Sequence, residues 1–412
     1  MNVNERARPA AALIILLGGL TAFGPLSIDL YLPALPVIGE SLGTDAASMQ
    51  RTLASFIAGL AIGQLVYGPL SDRIGRRPPL LIGIAIFIVT CVLCVYAESN
   101  AQMTALRFVQ GLGSCAALVV ARAIVRDRFN HQDSARVFTW IVLVMGIAPI
   151  FAPLLGSLIL SVAEWTAIFW VLALYGVLLG AAVLFGLSES RSAETAELAR
   201  SARFFGGMSS LIRNRRFRGY MFGQAFNMAS LFAYVSSAPA ILIVQYGVSE
   251  FAFGWLFALN AAGLIAGSQV NRYLLDHYSA DAIMRTANQL AVAAGFLLLG
   301  AAFTGFGGLF GIMTALFLVL ATYGFIAGNA NAGGLSVDPR RAGAASALLG
   351  AAGFGVGAAS AAATSFLPLE AAQSTAIVCV ISLILSWWLF RGTATRSADV
   401  SPREPREDAS RP

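Results

Sequence analysis

Read from its N-terminus, the chain alternates long, nearly unbroken apolar runs with short polar breaks. A helix that crosses a bilayer needs about 20 mainly apolar residues. Twelve runs meet that length, at approximately 11–37, 48–70, 79–97, 102–125, 137–162, 166–187, 219–246, 252–274, 283–304, 308–332, 342–366 and 370–390. Closed barrels also cross bilayers, but their strands alternate apolar and polar residues, which these runs do not. The pattern predicts an all-α membrane protein with twelve transmembrane helices in two six-helix bundles. The first bundle covers 1–187 and the second 219–390, joined by a charged Ala/Arg/Ser-rich segment at 188–218 and followed by a disordered tail at 391–412.

Composition excludes the soluble alternative. Hydrophobic residues make up 58% of the 412, charged residues only 12%, and the mean hydropathy is +0.75. A globular domain carries about 25% charged residues, and a soluble fold of this size has too much surface to hide so much apolar matter. The opening stretch, with Arg6 and Arg8 ahead of an apolar run, imitates a signal peptide. The run continues to Pro36, so it reads as an uncleaved first span.

The net charge is +6, and with no Lys in the chain all 27 basic residues are Arg. If the N-terminus is cytoplasmic, nearly all of them fall in cytoplasmic segments. Only Arg51 falls outside, and Arg107 and Arg122 lie within the fourth span. This is the positive-inside pattern. It predicts an even number of spans, with both termini cytoplasmic at the inner membrane of a bacterium.

Charge inside hydrocarbon costs about 2.5–3.5 kcal/mol per residue on insertion scales, so intramembrane charges are functional suspects. Assigning every Asp and Glu leaves one acid well inside a span, Asp29, set among Pro25, Pro33 and Pro36. Prolines free backbone carbonyls, which then need protein or water partners. Asp29 lies about 18 residues beyond Ala11, ~27 Å of helical rise, so it either lines an internal path or sits solvated near the outer interface. Arg107 enters the fourth span from the same outer side. Gln110 and Gly111 follow it on the same helix face, where the guanidinium either faces a cavity or snorkels outward. Arg122 lies ~22 Å deeper, and both cavity lining and snorkelling are open for it. Tyr31, Phe232 and Tyr234 are candidate cavity aromatics that equally suit helix packing.

Between the second and third runs, Gly68-Pro69-Leu70-Ser71-Asp72-Arg73-Ile74-Gly75-Arg76-Arg77 makes a compact charged turn. Gly267 to Arg272 echo it after the eighth run, as a duplicated six-helix unit would. Gly146, Pro149, Pro153 and Gly156 punctuate the fifth run with small and helix-bending residues. Cys91-x-x-Cys94 has metal or redox spacing but lacks a second pair or a nearby His, so the cysteines read as packing thiols. No zinc-protease, P-loop or paired-acid motif is present. No cofactor, metal, nucleic-acid partner or enzymatic activity is therefore expected.

These residues resemble the major facilitator superfamily. The Gly68 to Pro78 turn looks like its loop 2–3 motif, and Leu106 to Gly111 look like the fourth-span motif of its proton-coupled drug exporters. The fifth run is similar to their antiporter motif, with Ala152 and Ser157 standing where its strong form has glycines. Leu26 to Pro36, together with Trp165 to Trp170, resemble the Bcr/CflA branch, the bicyclomycin and chloramphenicol/florfenicol resistance exporters. The resemblance implies alternating access and proton antiport by a single chain in lipid. It gives Asp29 and Arg107 the coupling and cavity roles, but it carries nothing over to Arg122. From the residues themselves, Asp29 and Arg107 would form an ion pair, and Tyr31, Gln110, Arg122, Phe232 and Tyr234 are the candidate lining of the substrate cavity. Gly68, Asp72, Gly75, Arg76 and Arg77 would form the gating loop, and Gly146, Pro149, Pro153 and Gly156 the antiporter helix. The partners implied are protons and small drug-like molecules. A same-fold carrier of amino acids or other metabolites is the alternative, and a membrane-embedded enzyme a more distant one.

Overall fold

A computed structural model describes residues 11–129, 131–193, 196–197 and 207–391. Arg6, Arg8, much of the central segment and nearly all of the tail fall outside the described residues. All described regular structure is helical. Span 1 is Ala11–Asp29, extended by a 3-10 turn at Leu32–Ala34 and a short helix at Leu35–Ser41. Spans 2 to 6 are Ala46–Ile74, Arg77–Val95, Asn100–Arg128, His131–Val162 and Thr166–Gly186. Span 7 is Arg215–Pro239, closed by a π-helical turn at Ala240–Gln245. Spans 8 to 12 are Glu250–Leu274, Ala280–Thr304, Gly308–Ser336, Ala342–Phe366 and Ala371–Arg391. Eleven of these helices are long and apolar enough to cross a membrane among the described residues. The other, span 5, has 32 residues, or ~48 Å at 1.5 Å per residue.

Most helices begin before their apolar runs because polar caps start them. Asp45 accepts the Ser48 N–H at 2.7 Å ahead of span 2, and Ser99 accepts that of Gln102 at 3.3 Å ahead of span 4. Each cap satisfies a backbone donor that the helix itself leaves free. Span 1 departs from the single run read from sequence. Its α-helix stops at Asp29, and Pro33, which has no N–H, helps keep it from resuming for several residues.

The halves repeat a crossing. Gly59 and Gly111 bring spans 2 and 4 so close that a Cβ on either would overlap the other's backbone, and Gly267 and Gly324 do the same for spans 8 and 10. Small residues permit such approach where lipid offers no hydrophobic drive. The sequence echo of Gly68 with Gly267 does not share this packing. Gly68 faces open space, whereas Gly267 closes on Ala321.

Spans 2 and 11, and spans 5 and 8, join the two halves. Their polar contacts lie on the face opposite the termini. Thr364 Oγ1 donates to Gln50 Oε1 at 3.2 Å, Ser157 Oγ donates to the Glu250 carbonyl at 2.7 Å, and the Arg51 guanidinium lies 5.6 Å from the Phe366 ring centroid. At the terminal face, spans 4 and 10 have no comparable partners in the other half among the described residues.

Candidate functional site

Where span 1 stops, its last carbonyls lose their helical donors. Arg107 takes one of them. Its Nη2 donates to the Ser27 carbonyl at 2.9 Å and its Nη1 to Gln110 Oε1 at 2.5 Å. The guanidinium carbon lies 4.4 Å from the Tyr31 ring centroid and 4.3 Å from that of Phe56, so the cation is clamped between two aromatic rings. Gln110 Nε2 reaches Cys91 Sγ at 2.8 Å, and the Tyr31 hydroxyl pairs with Thr52 Oγ1 at 2.8 Å. Arg107 is fully buried, so it does not snorkel. All four cysteines are free and buried.

Asp29 is 5% exposed, which removes the solvated-interface reading. The expected ion pair with Arg107 is not formed, and Asp29 makes none among the described residues. The reason is azimuth. Asp29 is two residues from both Ser27 and Tyr31, about 200° around the helix. Arg107 binds the Ser27 and Tyr31 side, so Asp29 faces away from it. Its electrostatic neighbour is Tyr234 on span 7. The Tyr234 hydroxyl accepts from Asn260 Nδ2 at 2.9 Å, and its ring stacks on Phe257 at 5.6 Å. A carboxyl of the first half thus lies within electrostatic reach of a phenol of the second.

Of the prolines and glycines singled out in span 5, Gly156 bears on this turn. A Cβ on Gly156 would sit 2.5 Å from the Leu30 carbonyl and 2.9 Å from Pro33 Cγ, so only glycine lets span 5 close on the backbone next to Asp29. Pro149 and Pro153 lie inside the helix, as does Gly146. Tyr31 also meets Phe169 at 5.8 Å, which in turn meets Trp165 at 6.0 Å. The two stretches that carried the branch resemblance are therefore neighbours in space. Phe232 stands apart. It packs on Phe354 at 6.0 Å and against Gly357, between spans 7 and 11. Arg122 is half-buried, without a hydrogen bond or ion pair among the described residues, and the charge in its reach is the like-signed Arg126.

The loop between spans 2 and 3 forms a second cluster. Arg76 pairs with Asp72 and, through Nε at 2.7 Å and Nη2 at 3.3 Å, with Asp127 at the end of span 4. Carboxylate partners on both sides raise the Arg76 pKa, against the opposing effect of burial. Gly75 has φ +104°, and Glu189 occupies the space a Cβ would need. Glu189 accepts the backbone N–H groups of Arg76 at 2.9 Å and Arg77 at 3.2 Å. Arg191 Nη1 donates to the Arg73 carbonyl at 2.5 Å and to that of Asp72 at 3.2 Å. The sequence reading missed Asp127 and Glu189. Their signal was faint: an acid between Arg126 and Arg128, and the first acid after span 6.

A model of the Major Facilitator Superfamily matches residues 16–362. The chain belongs to that superfamily. It is a multi-pass membrane transporter, not an enzyme. The chain is 35% identical over 349 residues to the MFS-type transporter YdgK of Bacillus subtilis, covering 84% of this chain and 87% of that one. It is 30% identical over 387 residues to a bicyclomycin resistance protein homolog of Haemophilus influenzae, covering 93% and 97%. With the multidrug resistance protein MdtL of Klebsiella pneumoniae it shares 31% over 274 residues, 66% of this chain and 69% of the relative. A D-xylose-proton symporter has the same fold, with TM-score 0.72 at 13% identity over 93% of this chain and 98% of its own. A bacterial homolog of the lysosomal transporter Spinster, solved inward-facing and unoccupied, aligns with TM-score 0.71 at 15% identity over 93% and 97%.

Proposed function

We propose that this transporter exports small amphipathic drug-like molecules in exchange for protons. The observation that carries the reading is Asp29, a buried carboxyl without an ion pair among the described residues at the broken end of span 1. A carboxylate out of water needs a compensating proton, cation or hydrogen-bond donor. If a proton and a donor group of the substrate compete for Asp29, loading one releases the other, which is antiport. Relatives named for bicyclomycin and multidrug resistance support the drug as cargo.

The bundles 1–187 and 219–390 act as the two rocking bodies, with 188–218 as their tether. The Arg distribution supports a bacterial inner-membrane location with both termini in the cytoplasm. In that orientation the contacts Gln50–Thr364 and Ser157–Glu250 close the periplasmic side, and the described state faces inward. Arg107 positions the Asp29 turn by holding the Ser27 carbonyl. The Asp72–Arg76–Asp127 cluster governs closure on the cytoplasmic side. Tyr31, Gln110, Tyr234 and Arg122 contribute to the interior wall. The chain works as a monomer in lipid.

The test is proton-gradient-driven transport of chloramphenicol, florfenicol and bicyclomycin in vesicles, with wild type beside Asp29→Asn. Gradient-dependent transport that the variant loses is the expected outcome. Unchanged coupling in Asp29→Asn ends the assigned role of Asp29. Absence of transport for all three compounds moves the substrate to metabolites.

A further inference from the structure

Buried polar atoms in folded proteins almost always find partners, so each exception requires an explanation. The second half has a run of such exceptions on one wall. Asn227 is fully buried, and neither its Oδ1 nor its Nδ2 has a hydrogen-bond partner among the described residues. Gln224 Oε1, one helical turn away, is likewise unpaired, and so is Oδ1 of the fully buried Asn260 on span 8. Asn227 and Tyr234 are seven residues apart, hence on the same face of span 7, separated by ~10 Å along the axis. Tyr234 is the residue that accepts from Asn260. The unpaired amides of Asn227 and Gln224 therefore lie on the terminal-face side of Tyr234, and Asn260 lies beside it. The opposite flanks of span 7 are already engaged. Ser360 of span 11 donates to the Ala229 carbonyl at 2.7 Å, and Ser386 of span 12 to that of Gly223 at 2.6 Å.

We infer that Asn227, Gln224 and Asn260 form a neutral hydrogen-bonding subsite for the uncharged polar end of the substrate, its hydroxyl or amide groups. The inference rests on the export reading above and specifies its substrate class. The amides supply both donors and acceptors, which an uncharged diol or amide needs and an apolar cation does not use. A site built to hydrogen-bond a ligand loses discrimination when its own buried groups are removed. Leu is close to Asn in shape, and replacing an unpaired buried amide with an apolar group of the same shape is neutral or stabilising to the fold.

The experiment measures binding and transport by the full chain. The probes are chloramphenicol, neutral and rich in hydroxyl and amide groups, and tetraphenylphosphonium, a cation with none. Asn227→Leu is expected to bind chloramphenicol roughly three- to tenfold more weakly, the loss of one or two ordinary hydrogen bonds. Tetraphenylphosphonium binding and the melting temperature should hold or rise. Gln224→Leu should show the same split if Asn227→Leu does not express, and Asn227→Ser should recover part of the loss. Equal weakening of both probes overturns the subsite, as does unchanged chloramphenicol affinity. So does a fall in melting temperature, which would make the amides structural. Wild type that moves tetraphenylphosphonium but not chloramphenicol refutes the subsite and leaves export standing. Wild type that moves neither probe refutes the subsite, and if florfenicol and bicyclomycin are not moved either, it refutes the export reading itself.

Discussion

Arg107 shows how one side chain can be read correctly for burial and wrongly for partner. Its cost in the membrane forces an internal position. What it binds there is a carbonyl freed by the end of span 1, an amide and two rings, not the carboxylate of Asp29. The guanidinium is planar, donates in a fork and stacks on aromatics, none of which an ammonium reproduces. Arg107→Lys is therefore expected to lower stability by about 1.5–3 kcal/mol, the worth of hydrogen bonds to a charged group. Thermal unfolding in detergent measures it, and an unchanged midpoint would show the clamp to be unimportant. The run of residues told that Asp29 and Arg107 share a depth. It did not tell that Asp29 lies about 200° around the helix from the residues Arg107 holds, because azimuth depends on where span 1 stops and how span 4 crosses it.

Among the elements, the loop between spans 2 and 3 gains its order from partners distant in sequence. Glu189 is an exposed acid that reaches back to cap the start of span 3. Burial alone would raise its pKa, but backbone N–H groups of Arg76, Arg191, Arg77 and Ser190 outweigh that and hold it below the ordinary value. The carboxylate is favoured in the folded state, so its contribution is present above the unfolded pKa of about 4.3 and is lost as pH falls through the lower folded value. Glu189→Gln should accordingly melt below wild type at pH 7, with the two curves converging only as pH falls through the lowered folded value. A gap that persists at low pH would assign the effect to packing. The charges of this loop were legible in the sequence because they cluster in a short break between two apolar runs, beside the glycine that the positive φ at Gly75 favours. Asp127 and Glu189 were not, since an acid at a helix end looks like any solvated charge until another segment meets it.

At the scale of the whole molecule, the polar contacts between the halves lie on the face away from the termini, and alternating access requires those contacts to open. A Gln50→Cys, Thr364→Cys pair should trap the described state under oxidant, abolish transport and regain it with reductant. Transport that survives complete crosslinking would exclude rocking of the halves about that seam. By itself the sequence determined the solvent of the chain and the number of its apolar runs, and it singled out Asp29 and Arg107 as costly charges. Those depend on the free energy of placing each residue type in hydrocarbon, which is local and additive along the chain. Only the tertiary structure decided which buried groups meet. It left Asp29 without the Arg107 pair, set Gly156 against Leu30 and buried Asn227 and Gln224 on span 7 and Asn260 on span 8 with amide atoms left unpaired among the described residues. Such meetings depend on helix azimuth and on crossings between distant segments, and hydropathy along the chain carries no record of either.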